Sequence, residues 1–219
     1  MSDDAIVARL KVVAARLISK GLFQAGDSMS QRLAGRDQIA VLTVDGDETR
    51  ITLLSLNSTT DDAQQECRIH QHRTVYLSRP DVGAVLLNRQ PWSLALAQAG
   101  SGMPGVFDEQ IRHLGTGVAV VNYTAVDIVN CAFLQSGANA FILNQQVLSL
   151  GMTLDRLVFN AELLEKCAKA FVLASSTGKP VGKIPWLVRW IANGRLMKDE
   201  RHSAQQYARG QTPVFKSAY

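Results

Sequence analysis

Fourteen residues, Arg79-Pro80-Asp81-Val82-Gly83-Ala84-Val85-Leu86-Leu87-Asn88-Arg89-Gln90-Pro91-Trp92, narrow the choice of fold more than any other part of the chain. Pro80 lacks a backbone donor and biases Arg79 away from helix, so the element before it ends here. Gly83 to Asn88 is an apolar run of buried-strand length, and Pro91 closes it and opens the next helix. Leu87 and Arg89, two positions apart, share one face at the C-terminal end of that strand. Open α/β sheets commonly bind ligands along that edge.

The rest of the chain predicts helices over Ala5–Leu22, residues 63–78, Pro91–Ala99, Asp108–Leu114, Asp127–Gln135 and from Thr153 to about Ala174. In the first of these, Ile6, Leu10, Val13, Leu17 and Ile18 fall on one face. In the last, Leu157, Ala161, Leu164, Ala168 and Phe171 form a buried stripe, and Thr153 supplies the cap. Strands are predicted over Ile39–Val44 and Arg50–Leu56, around an Asp45-Gly46-Asp47 hairpin turn, and over Val118–Val121. Gly26 to Arg32 reads as a turn capped by Asp27 or Ser28, and Ser58 to Asp62 as a loop and helix cap. Beyond Pro185, a short apolar helix begins at Trp186 and a second covers Arg201–Arg209. Its exposed aromatics either dock on a neighbouring subunit or simply pack.

At 219 residues, 47% hydrophobic and 19% charged, the chain is long and apolar enough for a substantial core. A formal charge of +4 points to solvated lysines and arginines, so neither a nucleic acid nor a membrane is expected as partner. Three scattered cysteines, Cys67, Cys131 and Cys167, fit free thiols in a reducing compartment. The acidic N-terminus is not a secretory signal and no stretch reaches transmembrane length, so a cytoplasmic location is expected.

Arg79-Pro80-Asp81-Val82-Gly83-Ala84-Val85, followed two residues later by Leu87-Asn88-Arg89-Gln90-Pro91, resembles the class II aldolase/adducin family, whose strand reads roughly RPDVxAVVHTHSP. Ala138 to Gly151 is similar to that family's AxLLRNHGxLxxG. The resemblance covers roughly residues 5–180. It implies an α/β fold with a central, mainly antiparallel sheet flanked by helices on both faces. It also implies a single domain over 1–219, with 181–219 a helical C-terminal extension, and a homotetramer with sites between subunits. The family's two strand histidines fall on Leu87 and Arg89, and its third metal histidine on Gln145. Its phosphate-cradling SGNxSxR is matched at Ser30 and Arg32, but Asp27-Ser28 stands where the family has Gly-Asn. Asn122-Tyr123-Thr124 resembles the segment whose tyrosine donates a proton. His72 keeps the family spacing to Tyr76, although the position four before it is Arg68, and Glu66 is four before His70 instead.

Zinc takes lone pairs from imidazole, thiolate or carboxylate. Leu87 has none, Gln145 has a neutral amide, and Arg89 remains protonated. A guanidinium 4 Å from a divalent cation costs about 8 kcal/mol at an effective dielectric of 20. No metal and no cofactor are therefore expected. The candidate catalytic residues are Tyr123, Arg89, His72 and Glu66, and the candidate pocket-lining residues are Leu87, Gln145, Ser28, Ser30 and Arg32. Arg89 either pairs internally, with Glu66 the nearest candidate, or binds a small anionic ligand. Three functions stay open. One is an aldolase-like protein without metal-dependent activity, serving as oligomeric scaffold, binding module or ligand sensor. The second is a metal-independent lyase, decarboxylase or epimerase on a small anionic or sugar-phosphate substrate. The third is ordinary metal-dependent sugar-phosphate cleavage with ligands from elsewhere, such as His70, His72 and His113. Any activity would be that of a lyase.

Overall fold

A computed structural model of the chain describes residues 2–46, 48–57, 63–98, 100, 102–121 and 131–215, with the backbone alone for 63–67. Helix α1 (Asp3–Ser19) starts because Ser2 accepts a hydrogen bond from the Ala5 amide at 3.4 Å, and two acidic residues complement its first turn. It stops at Gly21, whose φ of 68° suits a residue without a Cβ. Ile6, Leu10, Val13 and Leu17 are buried as the periodicity predicts. Ile18 is half exposed, because it sits one position past the stripe.

Strand β1 (Ser28–Leu33) replaces the turn expected over Gly26–Arg32, although Asp27 does cap the bend before it, accepting from the Gln24 amide. Burial on both faces makes this strand hard to recognise, since Gln31 interrupts the apolar face of Met29 and Leu33 and the other face carries Ser28, Ser30 and Arg32. β2 (Gln38–Asp45) and β3 (Glu48–Ser55) form the expected hairpin, with Asp45 opposite Glu48. Helix α2 (Ala63–Ser78) leads through Pro80 to β4 (Ala84–Asn88), every residue of which is buried. Then come α3 (Pro91–Gln98), the two-residue β5 (Met103–Pro104), α4 (Asp108–Leu114) and β6 (Gly117–Val121). The helix expected over Asp127–Gln135 lies partly outside the described residues. Its described part is a short 3-10 helix, Ala132–Ser136, ended by Gly137 at φ 72°.

β7 (Ala140–Leu143) and β8 (Gln146–Gly151) are joined by Asn144 and Gln145, with Asn144 at φ 44°. Asparagine is among the few residues that tolerate that region, so the tight hairpin is encoded locally. Helix α5 (Leu154–Ser175) is capped by the Thr153 hydroxyl as predicted. Helix α6 (Trp186–Ala208) is one continuous helix where two were expected. Gly194 falls inside it, and a single interior glycine costs only about 1 kcal/mol.

The eight strands form one sheet in the order β3-β2-β1-β4-β8-β7-β6-β5, antiparallel at every described pairing except β6 with β7. On one face, α1 and the first half of α5 cover Met29, Leu42, Ala84 and Leu86. On the other, α2 and the 3-10 helix cover Val41, Val85, Leu87 and Phe141. The expected architecture of helices on both faces of a mainly antiparallel sheet is what the chain adopts.

Candidate functional site

Alternation along β1 turns Ser28, Ser30 and Arg32 toward α2, opposite Leu87, Val85 and the backbone of Gly83. Polar groups on a dry face must find partners. His72 of α2 lies between the two serines, its Nε2 at 2.9 Å from Ser28 Oγ and its Nδ1 at 2.7 Å from Ser30 Oγ. Ser30 Oγ is also 2.8 Å from the Tyr76 hydroxyl. The imidazole is wholly enclosed, and burial, helped by the Arg68 charge, pulls its pKa down to about 3. It is a neutral ring filling a polar slot between two elements. Nothing dissolved in water touches it.

Arg32 completes the same layer. Its guanidinium donates to the carbonyls of Tyr76, Arg79 and Val82 at 2.8, 3.2 and 3.0 Å, and it lies between the rings of Tyr76 and Tyr207. Its Nε and Nη2 donors are thus spent on backbone carbonyls.

At the C-terminal end of β4, Leu87 is buried in the layer under α2 and Arg89 emerges at the surface with its side chain 40% exposed. Arg89 Nε donates to Asp27 Oδ1 at 3.1 Å, and Nη2 donates to the Ala25 carbonyl. Asp27 Oδ2 accepts from the Gln24 amide at 2.9 Å, so both carboxylate oxygens are engaged. Burial pushes the Asp27 carboxyl above its ordinary range, while the Gln24 amide and Arg89 pull the other way. The internal partner expected for Arg89 was Glu66; the described partner is Asp27, and the Glu66 side chain lies outside the described residues. Gly26, at φ 86°, suits the bend beneath the guanidinium, since a residue with a Cβ is strained in that backbone conformation.

Gln145 is exposed in the β7–β8 turn, along the same edge of the sheet as Arg89, since Asn88 pairs with Val147. Tyr123 lies outside the described residues. Of the nine predicted site residues, the fold therefore gathers Ser28, Ser30, His72 and Leu87 in one buried layer. Arg32 borders it, and Arg89 and Gln145 lie at its open end. Asp27 was not among them. The signal for it was present: two departures from the family pattern, an acid in place of a glycine and a base in place of a histidine, meet as an ion pair. Tyr76, which closes the hydroxyl chain, enters the sequence pattern only as a spacing landmark.

Divalent metal chemistry does not fit this donor set. Leu87 contributes no lone pair, Arg89 holds positive charge against Asp27, and Gln145 offers a neutral amide. Among the described residues no group of three or more histidines, cysteines or carboxylates is arranged to hold an ion. His70 is exposed, and His113, Nδ1 2.6 Å from Arg156 Nη1, is pulled down to about 4 by burial and by two arginines. Neither joins His72 in a site. Two grooves, of about 770 and 1290 Å³, are lined mainly by α1, α3, α4, α5, α6 and the C-terminal segment rather than by Arg89 and Gln145.

Arg79, Pro80 and Asp81 have a different task. Arg79 makes a two-pronged pair with Asp81, 2.8 Å at each prong, and also donates to Glu200, Asn139 and the carbonyls of Leu134 and Ala138. Ser203 donates to the Asp81 carbonyl at 2.6 Å, and the Tyr207 hydroxyl passes over Gly83 to the Met152 carbonyl at 2.9 Å. The motif that ends α2 thus anchors α6.

The family model for the class II aldolase and adducin N-terminal domain matches residues 18–172. Among solved structures, an L-fuculose 1-phosphate aldolase superposes with a TM-score of 0.75 at 20% identity, over 90% of this chain and 98% of its own. An L-fuculose 1-phosphate aldolase from Glaciozyma antarctica PI12 gives 0.68 at 16%, over 92% of this chain and 87% of its own. An aldolase II superfamily protein from Pseudomonas syringae gives 0.67 at 17%, over 97% and 96%. No curated protein sequence matches the chain. At these identities the superpositions speak for the fold, while the family model spans most of the sequence. The chain belongs to the class II aldolase and adducin family.

Proposed function

We propose that this protein uses the aldolase fold as a cytoplasmic, homotetrameric scaffold or binding module, without metal-dependent cleavage of a sugar phosphate. The observation that carries this reading is the Arg89–Asp27 pair at the end of β4, next to the buried Leu87. Aldol cleavage leaves a carbanion that needs an electron sink, and a guanidinium already neutralised by a carboxylate is a poor one. Elemental analysis of the purified protein, together with a cleavage assay on ketose 1-phosphates, tests it. The expected result is no stoichiometric transition metal and no chelator-sensitive cleavage. Stoichiometric zinc, or cleavage abolished by chelator, would overturn it.

One observation favours a ligand-sensing variant of this role. Arg89 is partly exposed, and its Nη1 makes no hydrogen bond among the described residues. A small carboxylate or phosphate has room to engage that free edge. A thermal-shift screen with inorganic phosphate and short carboxylates, repeated on Arg89→Ala, separates the two: shifts confined to wild type support sensing. The metal-independent lyase, decarboxylase or epimerase gains no support from His72, which no substrate can reach.

A further inference from the structure

Positive charge is distributed unevenly along the chain. Between Glu165 and Asp199 lie seven lysines and arginines and not one aspartate or glutamate. The remaining 16 basic residues face all 19 acidic ones, so the protein's net positive charge comes from this stretch alone. It covers the last turns of α5, the connection and the first half of α6. Lys166 approaches Glu109 at 3.9 Å and Lys169 lies over the Trp92 ring. Among the described residues, Lys179, Lys183, Arg189, Arg195 and Lys198 form no ion pair.

The same stretch carries most of the large apolar side chains left in water. Trp186 and Trp190 are each 70% exposed, Leu187 is 50% and Ile191 44%. Residues four apart stand one above the other on a helix, so these form two adjacent columns on one face. The opposite face holds Leu196, Glu200 and Ser203 against the body of the protein, so the apolar face is fixed outward. A backbone bond from Ile184 to the Gly105 carbonyl pins the connection just before the helix.

We infer that the first two turns of α6, with the lysines preceding them, form a docking surface for an anionic lipid bilayer. Bringing this face against its own copy about a two-fold axis would set its cations against the same cations. Nucleic acid would use the charge and the indole rings but gains nothing from Leu187 and Ile191, which neither stack nor hydrogen-bond. Indole rings flanked by aliphatic side chains and lysines suit the boundary between headgroups and acyl chains. The apolar patch is only about 9 Å long, so it holds the surface weakly by itself. Its attachment needs the charge as well. Such docking would make the protein peripheral, a partner not expected from the overall charge.

The test is co-sedimentation of the full chain with vesicles of phosphatidylcholine alone and of phosphatidylcholine with one quarter phosphatidylserine. Binding to the anionic vesicles only, released by 0.5 M salt and accompanied by a blue shift of tryptophan emission, is the expected result. Trp186→Ala with Trp190→Ala should abolish it. Lys179→Glu with Lys183→Glu should weaken it roughly 25-fold or more, about fivefold for each basic charge removed. All four side chains are exposed, so folding is retained, and Val12→Ala, an exposed apolar change on α1, should bind as wild type. Failure to bind anionic vesicles overturns the inference. So does binding indifferent to the two tryptophans, preferential binding to DNA, or an oligomer that the tryptophan double variant splits while vesicles are ignored. None of these results bears on metal content, so this proposal and the preceding one fail separately.

Discussion

Two arginines ten residues apart occupy opposite situations. Arg79 has a side chain only 5% exposed and is surrounded by Asp81, Glu200, Asn139 and two carbonyls, tying α2, β7 and α6 together. Arg89 has a side chain 40% exposed and serves one carboxylate and one carbonyl. At the first, the chain follows the family pattern letter for letter; at the second, it departs from it. The most recognisable motif therefore reports how the fold is tied together. The family's metal ligands belong to the neighbouring positions, and those can change without disturbing the anchor.

Breaking the anchor should produce the largest effect. Arg79→Ala leaves the buried Asp81 carboxylate without its cation and Glu200 without its donor, and is expected to cost about 3–5 kcal/mol, read by urea unfolding, with Arg79→Lys restoring little because the fork is lost. Gly83→Ala attacks the same region from the other side. Its Cβ would stand 1.9 Å from the Tyr207 hydroxyl and 2.3 Å from the Met152 carbonyl, so a loss of about 3 kcal/mol and displacement of the end of α6 are expected.

Acid sharpens the contrast between two buried groups. His72 has its folded-state pKa pulled down to about 3, so the unfolded chain takes up a proton first. Stability should be complete above pH 6.5 and fall by up to about 1.4 kcal/mol per unit below it, toward pH 3. His72→Gln should show a shallower decline in acid unfolding. Glu200 behaves oppositely. Burial raises it to about 8 despite the pull of Arg79, so its contribution is complete below pH 4.5 and is lost as pH rises toward 8. Thermal melts across that window should favour Glu200→Gln increasingly as pH rises.

The smallest effect belongs to Arg89. Arg89→Ala should cost only about 1–2 kcal/mol, since water can reach the vacated place beside Asp27. A loss as large as that of Arg79→Ala would erase the distinction between the two sites.

Much of this was legible from sequence because it is local. The Asp45-Gly46 hairpin, the Thr153 cap, the α5 stripe and the Pro91 helix start each follow from a few neighbouring residues. β1 was missed because a strand buried on both faces loses its apolar alternation when one face is filled by a hydroxyl network. The Arg89–Asp27 pair spans 62 positions, and no local pattern announces it. The family resemblance drew attention to the end of β4 but could not say which carboxylate would meet the new cation. The roles of Tyr123 and Glu66 fall outside what the structure describes.

The order of strands also has a kinetic consequence. β1, β2 and β3 form a meander from near neighbours in the chain, and β7 with β8 closes through two residues. β4 joins them, pairing Ser28 with Leu87 on one side and Ala84 with Gly151 on the other. Both seams close long loops, whose entropy must be met before any contact compensates. Insertion of these five residues should therefore be a late event in refolding, with mutations in β4 raising the unfolding rate more than they lower the folding rate.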